Sequence, residues 1–342
     1  MKINVLTDYR GWFCSSVVVY KQTGIVSMDI DKLKTYAIDE GLELCFIQYS
    51  DLDLRKDYSG QYFIYTSSED PELKYKGCFE DVLYALHRKG AILIPEWRYM
   101  RAHHNKALME MLREVDMAEI DTGIHSRVFG CNEEFFQHID EIGFPCVYKT
   151  AEGAGSKGVA LLKDKEQAQK LLNELNINHK ASLKEKLWQA IGRNKPSMIY
   201  SNYRNKFVIQ NFIQGLSGDF KVLVFGDKYY ALSRKNRDND FRASGGGRLN
   251  YEPELPAGIF DFAKSVYDAL NVPVLSLDIA FDGNRFYLIE FQCLHFGTAT
   301  LEYSTHYHCL ENGKWVRHDE PSVLEKEFVL SLKHFFSKNT LL

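Results

Sequence analysis

Residues 143–162 read GFPCVYKTAEGAGSKGVALL. The apolar run Phe144 to Tyr148 delivers one lysine, Lys149, at its end. Gly153, Gly155 and Gly158 then alternate with small or polar partners, and a second apolar run covers Val159 to Leu162. Strand, flexible turn, strand is the reading: a hairpin with a glycine-rich tip. Glycines let backbone N–H groups converge on an anion without Cβ obstruction, and the lysine adds a point charge. A P-loop would need Gly-Lys-Ser/Thr leading into a helix, which is not the order here. A Rossmann fingerprint is excluded too, because a strand and not a helix follows. An ordinary surface hairpin has the same spacing, so the decision lies downstream.

The chain has 342 residues, which predicts two or three domains. It is 45% hydrophobic and 26% charged, the balance of a globular protein. A formal net charge of −4 gives no support to a nucleic-acid backbone as partner. Its 7 cysteines are scattered without a CxxC pair, as expected of reduced thiols in the cytoplasm. MKINVLTDYRG is broken by Asp8 too early for a signal peptide, and no segment has the apolar length of a membrane span.

Strands and helices alternate through residues 1–104. Strands are predicted at Lys2 to Leu6, Leu44 to Tyr49, Tyr62 to Thr66 and Ala91 to Ile94. Helices are predicted at Met28 to Glu40 and Gly77 to Lys89, the latter with a stripe of Phe79, Val82, Leu83 and Leu86. Such alternation implies a small, largely parallel sheet. Further helices are expected at Arg101 to Glu114, at Asn132 to Ile142 capped by Asn132, and at Lys165 to Leu175. Ser182 to Glu185 has the form of a capping box. Strands return at Phe207 to Phe212, Phe220 to Phe225 and Tyr229 to Arg234, followed by the arginine-bearing loop DFRASGGGRL. Ile259 to Leu270 and Ser322 to Phe336 complete the predicted helices.

Val274 to Phe281 and Arg285 to Phe291 pair across Asp282-Gly283-Asn284, a hairpin signal. Asp278 lies on its first strand and Glu290 and Gln292 on its second. Glu290 and Gln292 are two residues apart and leave the same face. Carboxylates among Leu277, Ile279, Leu288 and Phe291 call for a compensating cation, and oxygen-only ligands favour Mg²⁺.

The order of these pieces resembles the ATP-grasp superfamily, and within it the carboxylate–amine ligases similar to the ribosomal S6 modification enzyme. The resemblance runs from about Asn105 to Gln292. FPCVYK…GAGSKGV is similar to that family's lysine strand and phosphate loop. VIQNFIQGLSGDFKVLVFGDKYYALSRK…DFRA is similar to its hinge and following strands, and LDIAFDGNRFYLIEFQ to its metal hairpin. The implied fold is α/β (α+β): an ATP-grasp fold behind a small parallel pre-ATP-grasp domain. The expected division is 1–104 for the N-terminal domain, 105–215 for the central part and 216–342 for the C-terminal part.

Residue by residue, the resemblance implies that Lys106 and Lys149 bind ATP phosphates, while Gly155, Ser156, Lys157 and Gly158 close over them. Gln210, Asn211, Phe212 and Ile213 would meet adenine as the hinge, and Asp219 would lie near the ribose. Arg234 and Arg242 would act near the transferred phosphate and the acceptor. Asp278, Glu290 and Gln292 would hold Mg²⁺, or Mn²⁺ in its place. Arg248 and His295 are added as substrate candidates. The sequence departs from the family at Gln292, where asparagine is usual, at Asn211, where glutamate is common, and at Lys221, where arginine is common.

The implied activity is ATP-dependent amide formation through an acyl phosphate, with an amino acid, a peptide or the uronic acid of a cell-surface polysaccharide as acceptor. A kinase acting on a hydroxyl and a non-catalytic ATP-binding regulator are the alternatives. Expected partners are small-molecule, saccharide or peptide substrates, with no nucleic acid, no membrane span and a homodimer as the assembly to test. His306-x-His308-Cys309 lacks a second ligand pair for zinc, and Cys293 reads as a small buried hydrophobe. Residues 1–104 and the tail beyond about 300 carry no assignable function.

Overall fold

The computed structural model describes residues 1–19, 22–153, 158–176, 204–237, 240, 242 and 248–339. They form two compact units. The first holds residues 1–103, 112–123 and 215–342, and the second holds 104–111 and 124–214.

The first unit begins with β1 (Lys2–Thr7), the hairpin β2 (Cys14–Val19) and β3 (Gln22–Ser27), and helix α1 (Ile30–Asp39). β4 (Glu43–Gln48), β5 (Tyr62–Tyr65), α2 (Lys74–Arg88) and β6 (Ile92–Ile94) follow. The parallel sheet has the order β4-β1-β5-β6, as the strand–helix alternation predicts. Ile3, Val5 and Leu6 are buried on both faces of β1, which is why that strand reads as a continuous apolar run. Asp29 caps α1, its carboxylate accepting from Asp31 N and Lys32 N at 3.1 Å. Phe79, Leu83 and Leu86 bury one stripe of α2.

The helix predicted over Arg101 to Glu114 is two helices, α3 (Trp97–Ala102) and α4 (Lys106–Asp116). His104 takes a left-handed φ of 55° between them. Asn105 then restarts the helix by accepting from Leu108 N at 3.3 Å, a capping signal that outweighs the apolar periodicity running across it.

In the second unit, β7 (Ser126–Phe129), β8 (Cys146–Thr150), β9 (Val159–Leu162) and β10 (Phe207–Asn211) form an antiparallel sheet of order β7-β10-β8-β9. Its core is Phe129, Phe135, Tyr148, Leu162 and Phe207, covered by α5 (Asn132–Gln137) and by α6 (Lys165–Asn176) through Ala168 and Leu172. Helix α5 is shorter than predicted and gives way to a 3₁₀ turn at Ile139–Glu141. Asn132 is its first helical residue, not its cap. The Glu134 carboxylate reaches back instead, accepting from Gly130 N at 2.7 Å. The Ser182 capping box lies outside the described residues.

The rest of the first unit is an antiparallel sheet of order β15-β14-β11-β12-β16-β17, with β13 (Leu249–Asn250) beside β12. Its strands are β11 (Gly218–Phe225), β12 (Lys228–Lys235), β14 (Val274–Phe281), β15 (Phe286–Gln292), β16 (Tyr307–Glu311) and β17 (Lys314–His318). Helices α7 (Ile259–Leu270), α8 (Ala299–Tyr303) and α9 (Leu324–Lys338) accompany it. One apolar cluster joins Ile3, Val5 and Leu33 to Leu223, Phe225, Val274, Phe328 and Phe336, so both ends of the chain build one core.

Candidate active site

The second unit carries the lysines. β8 pairs with β9 through Lys149 and Val159, and with β10 through Lys149 and Val208. Lys149 is only 8% exposed, an unusual place for an ammonium. Lys106, at the start of α4, donates from its backbone to Ala151 O at 2.8 Å and from Nζ to Gly153 O. Both lysines therefore lie at the root of the glycine hairpin. Thr150 N donates to Gly158 O at 2.9 Å and closes that root. Gly158 has φ +74°, and a Cβ there would meet Thr150 Oγ1 at 2.2 Å, so only glycine fits. Gly155, Ser156 and Lys157 lie outside the described residues.

β10 ends in the hinge candidates. The buried Gln210 side chain donates to Ser126 Oγ at 3.2 Å, and Ser126 in turn donates to Glu110 at 2.8 Å. Asn211 bonds twice to His125, just before β7: its N–H donates to His125 O at 3.1 Å, and its Oδ1 accepts from His125 N at 2.8 Å. Phe212 and Ile213 follow outside the strand, half-buried. The side chains of Gln210 and Asn211 are thus given to the sheet.

The first unit carries the carboxylates. Register places Glu290 opposite Asp278, Asp278 opposite Lys221, Asp219 opposite Arg234 and Gln292 opposite Ser276. Directly opposed residues share a face, so one face of β15-β14-β11-β12 gathers all seven. Leu277, Ile279, Val222 and Phe291 alternate onto the other face and are buried.

The contacts within this group are close. Arg234 Nε and Nη2 donate to the two oxygens of Asp219 at 2.6 and 2.8 Å. Arg234 Nη2 also lies 2.7 Å from Asp278 Oδ2, and Lys221 Nζ lies 3.4 Å from Asp278 Oδ1 and 2.8 Å from Ser276 Oγ. Burial works against charge on Asp278, but Arg234 and Lys221 outweigh it and hold the carboxyl below the ordinary carboxylate range. On Arg234 the burial penalty is likewise overcome, by Asp278 and Asp219. Gly218 sits where β11 passes Arg234, and a Cβ there would meet Arg234 O at 2.1 Å. Gln292 Nε2 donates to Glu290 Oε1 at 3.3 Å, so the longer amide reaches its neighbour on β15.

Two carboxylates and one amide oxygen on adjacent strands are a hard-donor set that fits Mg²⁺. Asp278 shares its oxygens with two cations, while Glu290 and Gln292 face each other. Asp219, assigned by resemblance to the ribose, has both carboxylate oxygens on Arg234. Arg242 forks onto Asp240 at 2.6–2.9 Å. Arg248 O accepts from Lys235 N at 3.2 Å, beside β12. His295 is half-buried three residues beyond Gln292.

Sequence reasoning missed Arg113. It is 2% exposed, donates from Nη1 to Leu288 O at 2.7 Å and lies 5.7 Å from the Phe291 ring, which fixes the strand carrying Glu290. A lone arginine within ALMEMLREV was the available signal. Cys293 is buried, and desolvation pushes its thiol up, so it stays protonated. His306 pairs with Glu252 at 3.1 Å and His308 packs on Phe260 at 4.7 Å.

A lysine strand with its glycine hairpin, followed by a carboxylate hairpin backed by arginine and lysine, defines an ATP-grasp protein. Residues 107–293, more than half of the chain, match the model of the RimK-like ATP-grasp domain, and the chain belongs to that family. It is an enzyme of the ATP-grasp ligase class. No curated protein matches the chain in sequence. Among solved structures it is similar to D-cycloserine synthetase DcsG, at 13% identity over 97% of this chain and 99% of that chain, TM-score 0.53. Macrocyclase MdnC bound with precursor peptide MdnA, from Microcystis aeruginosa MRC, is 10% identical over 96% and 98%, TM-score 0.51. A RimK domain ATP-grasp protein from Sphaerobacter thermophilus DSM 20745 is 15% identical over 85% and 90%, TM-score 0.48. At these identities the likeness is one of fold.

Proposed function

We propose that the protein is an ATP-dependent carboxylate–amine ligase working through an acyl phosphate. The observation that carries this reading is the Glu290–Asp278–Lys221 row with Arg234 and Asp219 beside it on one sheet face. A substrate carboxylate attacks the γ-phosphate of ATP, ADP leaves, and an amine then displaces phosphate from the acyl carbon to form the amide. Lys149 and Lys106 bind the phosphates as point charges, and the 155–158 tip covers them. Backbone groups of the 210–213 hinge meet adenine. Arg234 and Lys221 offset negative charge that develops at the transferred phosphoryl group, already aimed by Asp219 and Asp278. Asp278, Glu290 and Gln292 would hold Mg²⁺, which supplies electrostatic stabilisation of the phosphates when bound. Arg242 and Arg248 receive the anionic acceptor, an amino acid, a peptide or a uronic acid. The reaction requires no covalent enzyme intermediate, and covering the acyl phosphate protects it from water.

The test is incubation with Mg·ATP and pools of amino acids, peptides and uronic acids. Phosphate release is expected only when carboxylate and amine are both present, with a condensation product by mass spectrometry. Arg242→Ala should lose that product while still binding ATP. Phosphate appearing on a hydroxyl would replace the ligase reading with a kinase.

A further inference from the structure

Leu288, Glu290 and Gln292 alternate along β15, so a regular strand would send all three side chains to one face. They do not share one. Glu290 lies opposite Asp278 and Gln292 opposite Ser276, on the face of the charges, while Leu288 lies opposite Ile279 on the apolar face. Leu288 and Ile279 are both fully buried. The register shifts between these pairs: Asp278 meets Glu290 but Ile279 meets Leu288, so Ile289 is one residue more than β14 can pair. This is a β-bulge, a device that bends its strand and re-aims a neighbouring side chain. It lets Leu288 and Phe291 enter the apolar face together while Glu290, between them, stays with the carboxylates.

β15 is the edge strand of its sheet, so no further strand of that sheet steadies the outer side of the bulge. Residues 112–123, which belong to the same unit, do so instead. Leu288 N donates to Thr122 O at 2.9 Å, and Arg113 Nη1 donates to Leu288 O at 2.7 Å. The Arg113 guanidinium also lies 5.7 Å from the centre of the Phe291 ring. Arg113, 2% exposed, therefore touches the residue before Ile289 and the residue after Glu290. Nearer the hairpin tip, Arg285 Nη2 pairs with Asp121 at 2.5 Å and ties β15 to the same segment. A guanidinium suits the place, because its rigid planar fork donates in fixed directions and also packs against aromatic rings.

We propose that Arg113 is a positioning residue for the metal centre: by holding the bulge at Ile289 it aims Glu290 at the Asp278 side of the sheet and so sets the affinity for Mg²⁺. Its contacts run to Leu288 and Phe291, and it acts through the strand. Mg²⁺ demands near-ideal octahedral geometry, so a small displacement of one carboxylate is felt as lost affinity. Groups that orient metal ligands in this way typically carry about 10- to 100-fold of metal affinity. This rests on the ligase reading above, in which Glu290 holds Mg²⁺.

The experiment is calorimetry of the full chain with a non-hydrolysable ATP analogue, once with Mg²⁺ and once in EDTA. The parent should bind the analogue more tightly with Mg²⁺, and Glu290→Ala should remove most of that gain. Arg113→Met should cut the gain about tenfold or more with the EDTA affinity unchanged, and Arg113→Lys should recover part of it. Ile279→Val trims the apolar face behind the bulge and should leave the gain intact, which separates positioning from a general loss of stability. In the unmutated chain the Arg113 guanidinium resonances should differ between the Mg²⁺ and EDTA complexes, a readout independent of how the variants fold. A full Mg²⁺ gain in folded Arg113→Met, an equal loss in Ile279→Val, or Arg113 resonances indifferent to Mg²⁺ would each overturn the inference and leave Glu290 as a ligand. A parent without any Mg²⁺ gain, or a Glu290→Ala protein that keeps it, would sink the metal assignment itself and the role of Arg113 with it.

Discussion

Arg234 grips Asp219 across β11 and β12 with two parallel N–H···O bonds of 2.6 and 2.8 Å, and its Nη2 also reaches Asp278 at 2.7 Å. One guanidinium thereby joins the strand after the hinge to the strand of the metal candidates. Both Arg234 and Asp219 are nearly buried, with side chains 10% and 11% exposed, so neither charge has water to fall back on.

Removing one partner of such a pair leaves the other uncompensated. Asp219→Ala is expected to cost about 3–5 kcal/mol of stability, read from urea unfolding with an unchanged m-value. A loss below about 1 kcal/mol would mean that Arg234 is held by Asp278 alone.

Glu290 is half-buried and faces Asp278 across the sheet. Glu290→Ala should therefore abolish Mg·ATP turnover while the melting temperature stays within a few degrees of the parent. Full ADP production by the folded variant would remove Glu290 from the metal site.

Lys149 is expected to contact phosphate. Lys149→Ala should weaken nucleotide binding by roughly 1.5–3 kcal/mol, about 10- to 100-fold, measured by calorimetry. Unchanged affinity would separate the glycine hairpin from the nucleotide.

Stability should also depend on pH through His308. Burial first, then the neighbouring His306 and Arg317, lower its pKa from the ordinary 6.5 to about 4. The folded state thus resists a proton that the unfolded chain accepts, so stability is intact above pH 6.5 and falls as pH drops from 6.5 to 4. His308→Gln should flatten that part of a melting-temperature profile. An equally steep decline in the variant would assign it to other groups.

Much of the fold was written locally. Lys2–Thr7, Ile259–Leu270 and the Val274–Phe281 hairpin carry their periodicity and turn residues within a few positions, so their elements follow from propensity and burial alone. Glu290 and Gln292 share a face for the same reason, because side chains alternate along any strand. Periodicity across Arg101 to Glu114 concealed the break that the Asn105 cap makes. The resemblance of ordered motifs from Asn105 to Gln292 pointed to the family that the domain match shows.

Other features depend on pairings between distant segments. Asp219 meets Arg234 only because β11 and β12 are in one register, and Asp278 meets Lys221 only because β14 lies on the other side of β11. A one-residue slip would turn these charges to the opposite face. Ile3 shares a core with Phe336, and Glu69 finds His103, through contacts that no local pattern encodes. Sequence alone determined which residue types were present and which side of its own strand each would take. Tertiary structure decided which charges neutralise one another, because that depends on strand order and register, set by burial of apolar faces over the whole chain.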